Sequence, residues 1–265
     1  MGEDYLIFLG NGGGRFSAVT QYNPTGGFQL VVDNSYRIHV DPGPSTATYL
    51  KQLGIDPESI RAILITHHHF DHFHDAVVLI EGMRTGPDKT TNGVLATTPK
   101  AISRIPEYHQ HFLKQIFPIL AGDTCALPGP VKIQVDATRA DHVSAGEGQA
   151  MGFIVSAKNW KIGITGDTII YPEFAETYAS VDVLVAYLRG PDNAASQSHM
   201  CTDDLIPAVR QMADYGHLRA VILTHFGRRI ASPKVPDRSL EQAAKIEAAT
   251  GVETLPASLG FRYDV

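Results

Sequence analysis

The chain has 265 residues, 43% hydrophobic and 19% charged, which suits a globular protein with one large domain or two small ones. A net charge of −6 argues against non-specific coating of nucleic acid, which needs clustered Lys and Arg. No apolar run approaches the roughly 20 residues of a membrane span, residues 1–5 carry Glu3 and Asp4 where a signal peptide would be basic, and Cys125 and Cys201 could pair but imply no secreted disulfide framework, so a cytoplasmic protein without a membrane partner is expected.

Tyr5 to Leu9 reads as a short strand, followed by Gly10-Asn11-Gly12-Gly13-Gly14-Arg15. The run is a weak match to a dinucleotide-binding turn, because Arg15 replaces the third glycine and no clear helix is expected after it. These glycines are expected to shape a loop near the functional site. Residues 28–32 and 36–40 read as strands joined by Asp33-Asn34 turn chemistry, a hairpin. Asp41 closes the second strand, either as a turn former or as a group that hydrogen-bonds a metal-ligating histidine. A helix over 45–53 and a turn at Asp56-Pro57-Glu58 lead to Ala62-Ile63-Leu64-Ile65, a short β-branched run with the character of a buried strand.

That strand empties into a cluster with five histidines and two aspartates in the nine residues 67–75. His67 and His69 are two apart, so in extended backbone they point to one side. Asp71 and His72 follow where the chain must turn into a helix. Imidazole and carboxylate together suit zinc, manganese or iron better than calcium or magnesium. A solvated loop or a terminal tag does not account for aspartates interleaved among histidines within the chain.

Residues 76–80 continue as a helix that ends near Gly82. The stretch 82–130 is broken by Pro106, Pro118, Pro128 and Pro130, with a helix start at Thr98-Pro99; it is a candidate cap that chooses the substrate. His109 and His111 within it are expected to be surface or core residues. A strand over 131–135 precedes Asp141-His142. Residues 153–155 and 161–164 form a hairpin around Lys158-Asn159, and its second strand delivers Asp167. A strand at 181–185, a loop at 189–198 and a helix from Thr202 to about Asp214, with acids in its first turn, follow. The strand 220–223 ends at His225, and a helix spans 239–249. No linker divides the chain, so one domain over 1–265 is expected.

The order His67-x-His69-x-Asp71-His72, His142, Asp167, His225 resembles the metallo-β-lactamase fold superfamily. Val40-Asp41-Pro42-Gly43, Thr165-Gly166-Asp167-Thr168 and Leu223-Thr224-His225-Phe226 add to the likeness, which spans nearly the whole chain. It implies an α/β fold, a four-layered αββα sandwich with the site on one edge. It also implies two divalent transition-metal ions, zinc foremost, with manganese or iron as alternatives. His67, His69 and His142 would hold one ion, and Asp71, His72 and His225 the other. Asp167 would bridge both, and a hydroxide between the ions would be the nucleophile. Asp71 thereby counts among the catalytic residues.

Ser198-His199-Met200-Cys201-Thr202, followed by Leu223 to Arg229, resembles the ribonuclease Z branch with its small phosphodiesterases. The likeness implies that His199 assists the phosphoryl oxygen or the leaving group. One departure is Ala186-Tyr187-Leu188, where that branch carries a glutamate bracing this histidine; another is the lack of a long basic arm for tRNA. A dinuclear phosphodiesterase is therefore expected, acting on a small molecule or a nucleic-acid end. Arg228 and Arg229 are its candidate substrate contacts, unless they form a solvated basic loop with Lys234 and Arg238. A hydrolase of lactones, carboxylic esters or thioesters and a non-catalytic metal sensor are the alternatives, and a homodimer is left open. Phe8, Phe16, Tyr22 and Tyr187 are expected to fill the core.

Overall fold

Two seven-stranded sheets organise the chain in a computed structural model that describes residues 2–85, 90–129, 131–146, 148–194 and 196–265. The first sheet contains β1 (Tyr5–Gly10), β2 (Thr25–Val32), β3 (Tyr36–Val40) and β4 (Ile60–Ile65). A ribbon of β5 (Arg84–Thr85) and β6 (Thr90–Thr91) precedes its remaining members, β7 (Gly93–Thr97) and β8 (Leu113–Pro118), with the short helices α5 (Pro99–Ile102) and α6 (Glu107–Gln110) between those two strands. The second sheet holds β9 (Thr124–Leu127), β10 (Ile133–Arg139), β11 (Met151–Ala157), β12 (Trp160–Ile164), β13 (Val183–Tyr187), β14 (Ala220–Thr224) and β15 (Glu253–Pro256). Finally β16 (Arg262–Asp264) returns to pair with β1. The spatial orders are β16-β1-β2-β3-β4-β7-β8 and β15-β14-β13-β12-β11-β10-β9.

β4 shows why the sheets need cover on both faces. Ala62 and Leu64 point to one side, Ile63 and Ile65 to the other, and all are fully buried. The first pair joins a core between the sheets with Phe28, Val135, Phe153 and Val185. The second pair packs under α2 (Thr46–Gln52) and α4 (Ala76–Met83), through Leu50, Leu79 and Ile80. On the far side α7 (Phe174–Thr177), α8 (Thr202–Asp214) and α9 (Ser239–Thr250) cover the second sheet through Phe174, Leu205, Val209 and Ile246. The result is the four-layered αββα sandwich. No helix among the described residues is long and apolar enough to cross a membrane.

The sheets are mixed. β3, β4, β7 and β8 pair in parallel, as do β12, β13, β14 and β15. Parallel neighbours end at the same edge of a sheet, so β3, β4, β12, β13 and β14 deliver the residues that follow them to one rim.

Two readings of the sequence need revision. A helix does follow the glycine run: Gly14–Thr20, here α1. Its entry is set by contacts remote in sequence, since the Gly13 N–H donates to the Phe226 carbonyl. The described part of 82–130 supplies β7 and β8 to the first sheet and β9 to the second. Phe16 lines that cleft and Tyr22 is 47% exposed, while Phe8 and Tyr187 are buried as expected. Both cysteines are free.

Candidate metal centre

The rim collects side chains from both sheets. β4 runs through Thr66 into His67 and His69, and the four-residue helix α3 (Phe70–Phe73) then turns Asp71 and His72 inward. His142 follows β10, Asp167 follows β12, and His225 follows β14 with φ at 62°. The sheets are stitched together here, because the Met151 N–H donates to the Thr66 carbonyl at 3.1 Å. Gly166 permits this approach: its φ is +59°, and a Cβ would sit 2.7 Å from the Met151 oxygen.

Two groups of donor atoms result. His67 Nε2 lies 2.9 Å from His69 Nδ1, which lies 3.2 Å from His142 Nε2. In the second group, His225 Nε2 is 3.2 Å from both Asp71 Oδ2 and His72 Nε2. The Asp167 carboxylate touches both: Oδ2 is 3.7 Å from His142 Nε2 and 3.9 Å from His67 Nε2, and Oδ1 is 3.1 Å from His225 Nε2. Together His67, His69, His142 and Asp167, and separately Asp71, His72 and His225, can hold a metal ion.

The tautomers support this use. His72 Nδ1 donates to Asp41 Oδ2 at 2.9 Å, His142 Nδ1 to the Ser198 carbonyl at 2.8 Å, and His69 Nε2 to the Ser144 carbonyl at 3.2 Å. Thr66 Oγ1 donates to Asp41 Oδ2 and so accepts from His67 Nδ1 at 3.1 Å. Each ring therefore turns a lone pair toward the other donors. Lone pairs facing one another are unfavourable by themselves. Their separations match the donor spacing, about 3.3 Å, around a tetrahedral ion with bonds of about 2.0–2.1 Å. Asp167 Oδ1 is buried without a hydrogen-bond partner among the described residues, which also fits a cation at this place.

Electrostatics agree. Burial opposes charge on His72, yet Asp71, Asp167 and Asp41 outweigh it and lift its imidazole well above the usual range. Burial likewise opposes charge on Asp167, and His225, His199 and His72 overcome it, holding the carboxyl well below the usual range. The carboxylates thus call for positive charge beside them, supplied by a proton on His72 or by a cation in its place, while burial holds the His67 and His69 imidazoles below the usual range. Beneath it, Asp41 also accepts from the Thr66 N–H at 2.7 Å and from the Tyr187 hydroxyl at 2.8 Å. The Tyr187 ring stacks on His225 at 5.4 Å between centroids.

His199 stands over the centre, with Nδ1 3.5 Å from Asp167 Oδ2 and its ring 5.8 Å from that of His225. Burial pushes its imidazole down to about 4 against the pull of Asp167. A cleft of 590 Å³ opens above, lined by Asp71, His142, Asp167, His199 and Arg228 among others. Arg229 lies in an adjoining pocket beside His199. Arg238 pairs with Asp192 and Glu241, and Lys234 is exposed. His109 pairs with Glu81, outside the cluster. Sequence reasoning missed Arg15 and Arg189 as cleft residues. The signal for Arg189 was its place two residues past the end of β13, at the rim to which β12 and β14 also run.

A sequence profile described as the β-lactamase superfamily domain matches residues 36–226. An uncharacterised protein of Methanocaldococcus jannaschii is 31% identical over 268 residues, covering 98% of this chain and 94% of its own. The ribonuclease Z of Pyrobaculum aerophilum is 23% identical over 239 residues, covering 77% of this chain and 79% of its own. Among solved structures, the metallo-β-lactamase fold protein YhfI from Bacillus subtilis superposes with a TM-score of 0.77 at 15% identity, over 99% of this chain and all of its own.

Proposed function

The chain belongs to the β-lactamase superfamily, and from that membership and its converging histidines and aspartates we propose a metal-dependent hydrolase of phosphodiesters. The observation that carries the reading is Asp167, whose single carboxylate reaches both donor groups while His199 faces it from the cleft. His67, His69 and His142 with Asp167 would hold one divalent ion, and Asp71, His72 and His225 would hold a second; zinc suits these donors best. Such ions lower the pKa of a coordinated water to about 7 and stabilise charge on the attacked centre.

The remaining work falls to the chain. Asp41 fixes the His72 tautomer, and the Ser198 carbonyl fixes that of His142. Asp71 is oriented by the Gly14 N–H, which donates to its Oδ2 at 2.5 Å. His199 offers its Nδ1–H to the oxygen on which negative charge develops as the ester bond breaks. The phosphodiester class is supported by this histidine, by the arginines of the cleft and by the similarity to a ribonuclease.

Metal content and turnover test the reading together. About two ions per chain are expected by elemental analysis, with hydrolysis of bis(p-nitrophenyl) phosphate after loading with zinc or manganese. His199→Ala is expected to lower kcat by about 10²–10⁴ without changing metal content. Turnover of a lactone but of no phosphodiester would move the protein to carbonyl chemistry.

A further inference from the structure

Arg15, Arg189 and Arg228 all line the cleft. Arg139, Arg219, Arg238 and Arg262 have carboxylate partners, and Arg37, Arg61 and Arg210 are engaged by neutral oxygens, away from the cleft. The three at the cleft have no carboxylate partner among the described residues. Their clustering stands against a net charge of −6 for the whole chain.

Arg189 is held in place. Its Nη1 donates to the Gly13 carbonyl, its backbone N–H to the Met200 carbonyl at 3.3 Å, and its own carbonyl accepts from the Gly227 N–H at 3.1 Å. A Cβ at Gly14 would overlap its guanidinium, so the glycine makes room for the arginine. Gly14 also donates to Asp71, and Gly13 packs against the His225 ring. The arginines therefore gather on the Asp71–His225 side, whereas Ser144 stands beside His69 and His142.

A phosphodiester carries one negative charge, which the metal centre and His199 would already engage. A phosphate monoester carries about −1.5 to −2 at neutral pH and offers three acceptor oxygens. Planar guanidinium groups match such an anion better than any other side chain. We propose that the substrate bears a second anionic group, a phosphate monoester near the scissile diester, seated by Arg189 with Arg15 and Arg228 on the Asp71–His225 side of the cleft. The proposal rests on the phosphodiester reading of the centre.

Two substrates that differ only in that group provide the test: thymidine 5′-(p-nitrophenyl phosphate) and the same compound phosphorylated at its 3′ oxygen. The metal-loaded protein is expected to prefer the second in kcat/KM by about tenfold or more, mainly through KM, as one charge-assisted hydrogen bond allows. That ratio is expected to fall toward one in Arg189→Ala and Arg228→Ala, with part of it recovered in Arg189→Lys. Arg228 is exposed, so its variant keeps the test valid should Arg189→Ala misfold. Turnover of both substrates with a ratio near one would overturn the proposal and leave the phosphodiesterase reading standing. Turnover of neither would remove that reading. Calorimetry with thymidine 3′,5′-bisphosphate against the 5′-monophosphate then decides on the arginines alone: tighter binding of the bisphosphate that both alanine variants abolish supports them, and equal binding overturns them.

Discussion

Asp41 holds no metal ion in this reading, yet four groups depend on it: the Thr66 N–H and hydroxyl, His72 Nδ1 and the Tyr187 hydroxyl. It is a positive-φ residue at 50°, an uncommon conformation that aspartate tolerates better than most. Replacement by asparagine keeps the shape but removes the charge that sets the His72 tautomer. Asp41→Asn is therefore expected to weaken zinc binding by about 10–100-fold, measured by competition with a chromophoric chelator. Unchanged affinity would reduce Asp41 to a turn former. Of the seven proposed ligands, four fall in one dense run that stands out in the sequence, and the other three follow strands that lead to the same rim. The role of Tyr187 was not legible. The sequence suggested a missing brace for His199, whereas the tyrosine reaches Asp41 and stacks on His72 and His225, a role that depends on the depth of β13 below the rim.

The glycine loop between β1 and α1 behaves as part of the centre. Gly13 has φ −138°, open to any residue, but a Cβ there would overlap the His225 ring. Gly13→Ala must displace either the loop or the ligand. Gly54 is a useful contrast, with φ +67° and no atom within 4 Å of where a Cβ would stand. Gly54→Ala is expected to cost about 1–2 kcal/mol in stability from backbone strain alone and to leave metal stoichiometry intact. Gly13→Ala is expected to lose ion occupancy at the Asp71–His72–His225 group, seen as a drop toward one ion per chain. Equal stoichiometry in both variants would mean that the loop yields without moving His225. Elements held by distant contacts were the ones hardest to read. α1 lacks a local start signal because Gly13 caps it without a side chain. β7 is short, carries glycine, alanine and threonine, and is nevertheless wholly buried as an inner strand. The long amphipathic α8 needed no such help: its capping box of Cys201 and Asp204 and its apolar stripe of Leu205, Val209 and Met212 are local.

Across the whole molecule the sandwich is pinned at both ends. Away from the rim, Asp4 at the start of β1 accepts from Lys158 and Trp160 of the second sheet and from the Asp33 N–H, each at 2.8 Å. Burial opposes its ionisation, but these donors outweigh burial and lower its pKa. A carboxyl that is more acidic in the folded state stabilises it above the unfolded value of about 3.9, and the gain is lost as pH falls through the folded value. Asp4→Asn is thus expected to lower Tm at pH 7, and the gap from wild type to close below about pH 4. A gap that stays constant down to acid unfolding would show that Asp4 acts by shape alone.

At the rim the pins are the donor groups, fed by β4 from one sheet and by β10, β12 and β14 from the other. An ion bound among them would tie the sheets together, and a ligand that binds only the folded chain stabilises it in proportion to its saturation. Zinc at about 100 times its Kd contributes about 2.7 kcal/mol, or roughly 5–10 °C in Tm for a chain of this size. Removing it with a chelator should act locally first. The amides of Met151 and Phe226, which cross between segments at the rim by donating to Thr66 and Asn11, are expected to exchange hydrogen faster. Those around Asp4, at the other end of the same strands, are expected to keep their protection until global unfolding. Uniform loosening would make the sandwich one cooperative unit whose rim has no separate stability. No change in either Tm or exchange would mean that the cluster holds no ion strongly enough to matter, and the proposed chemistry would fall with it.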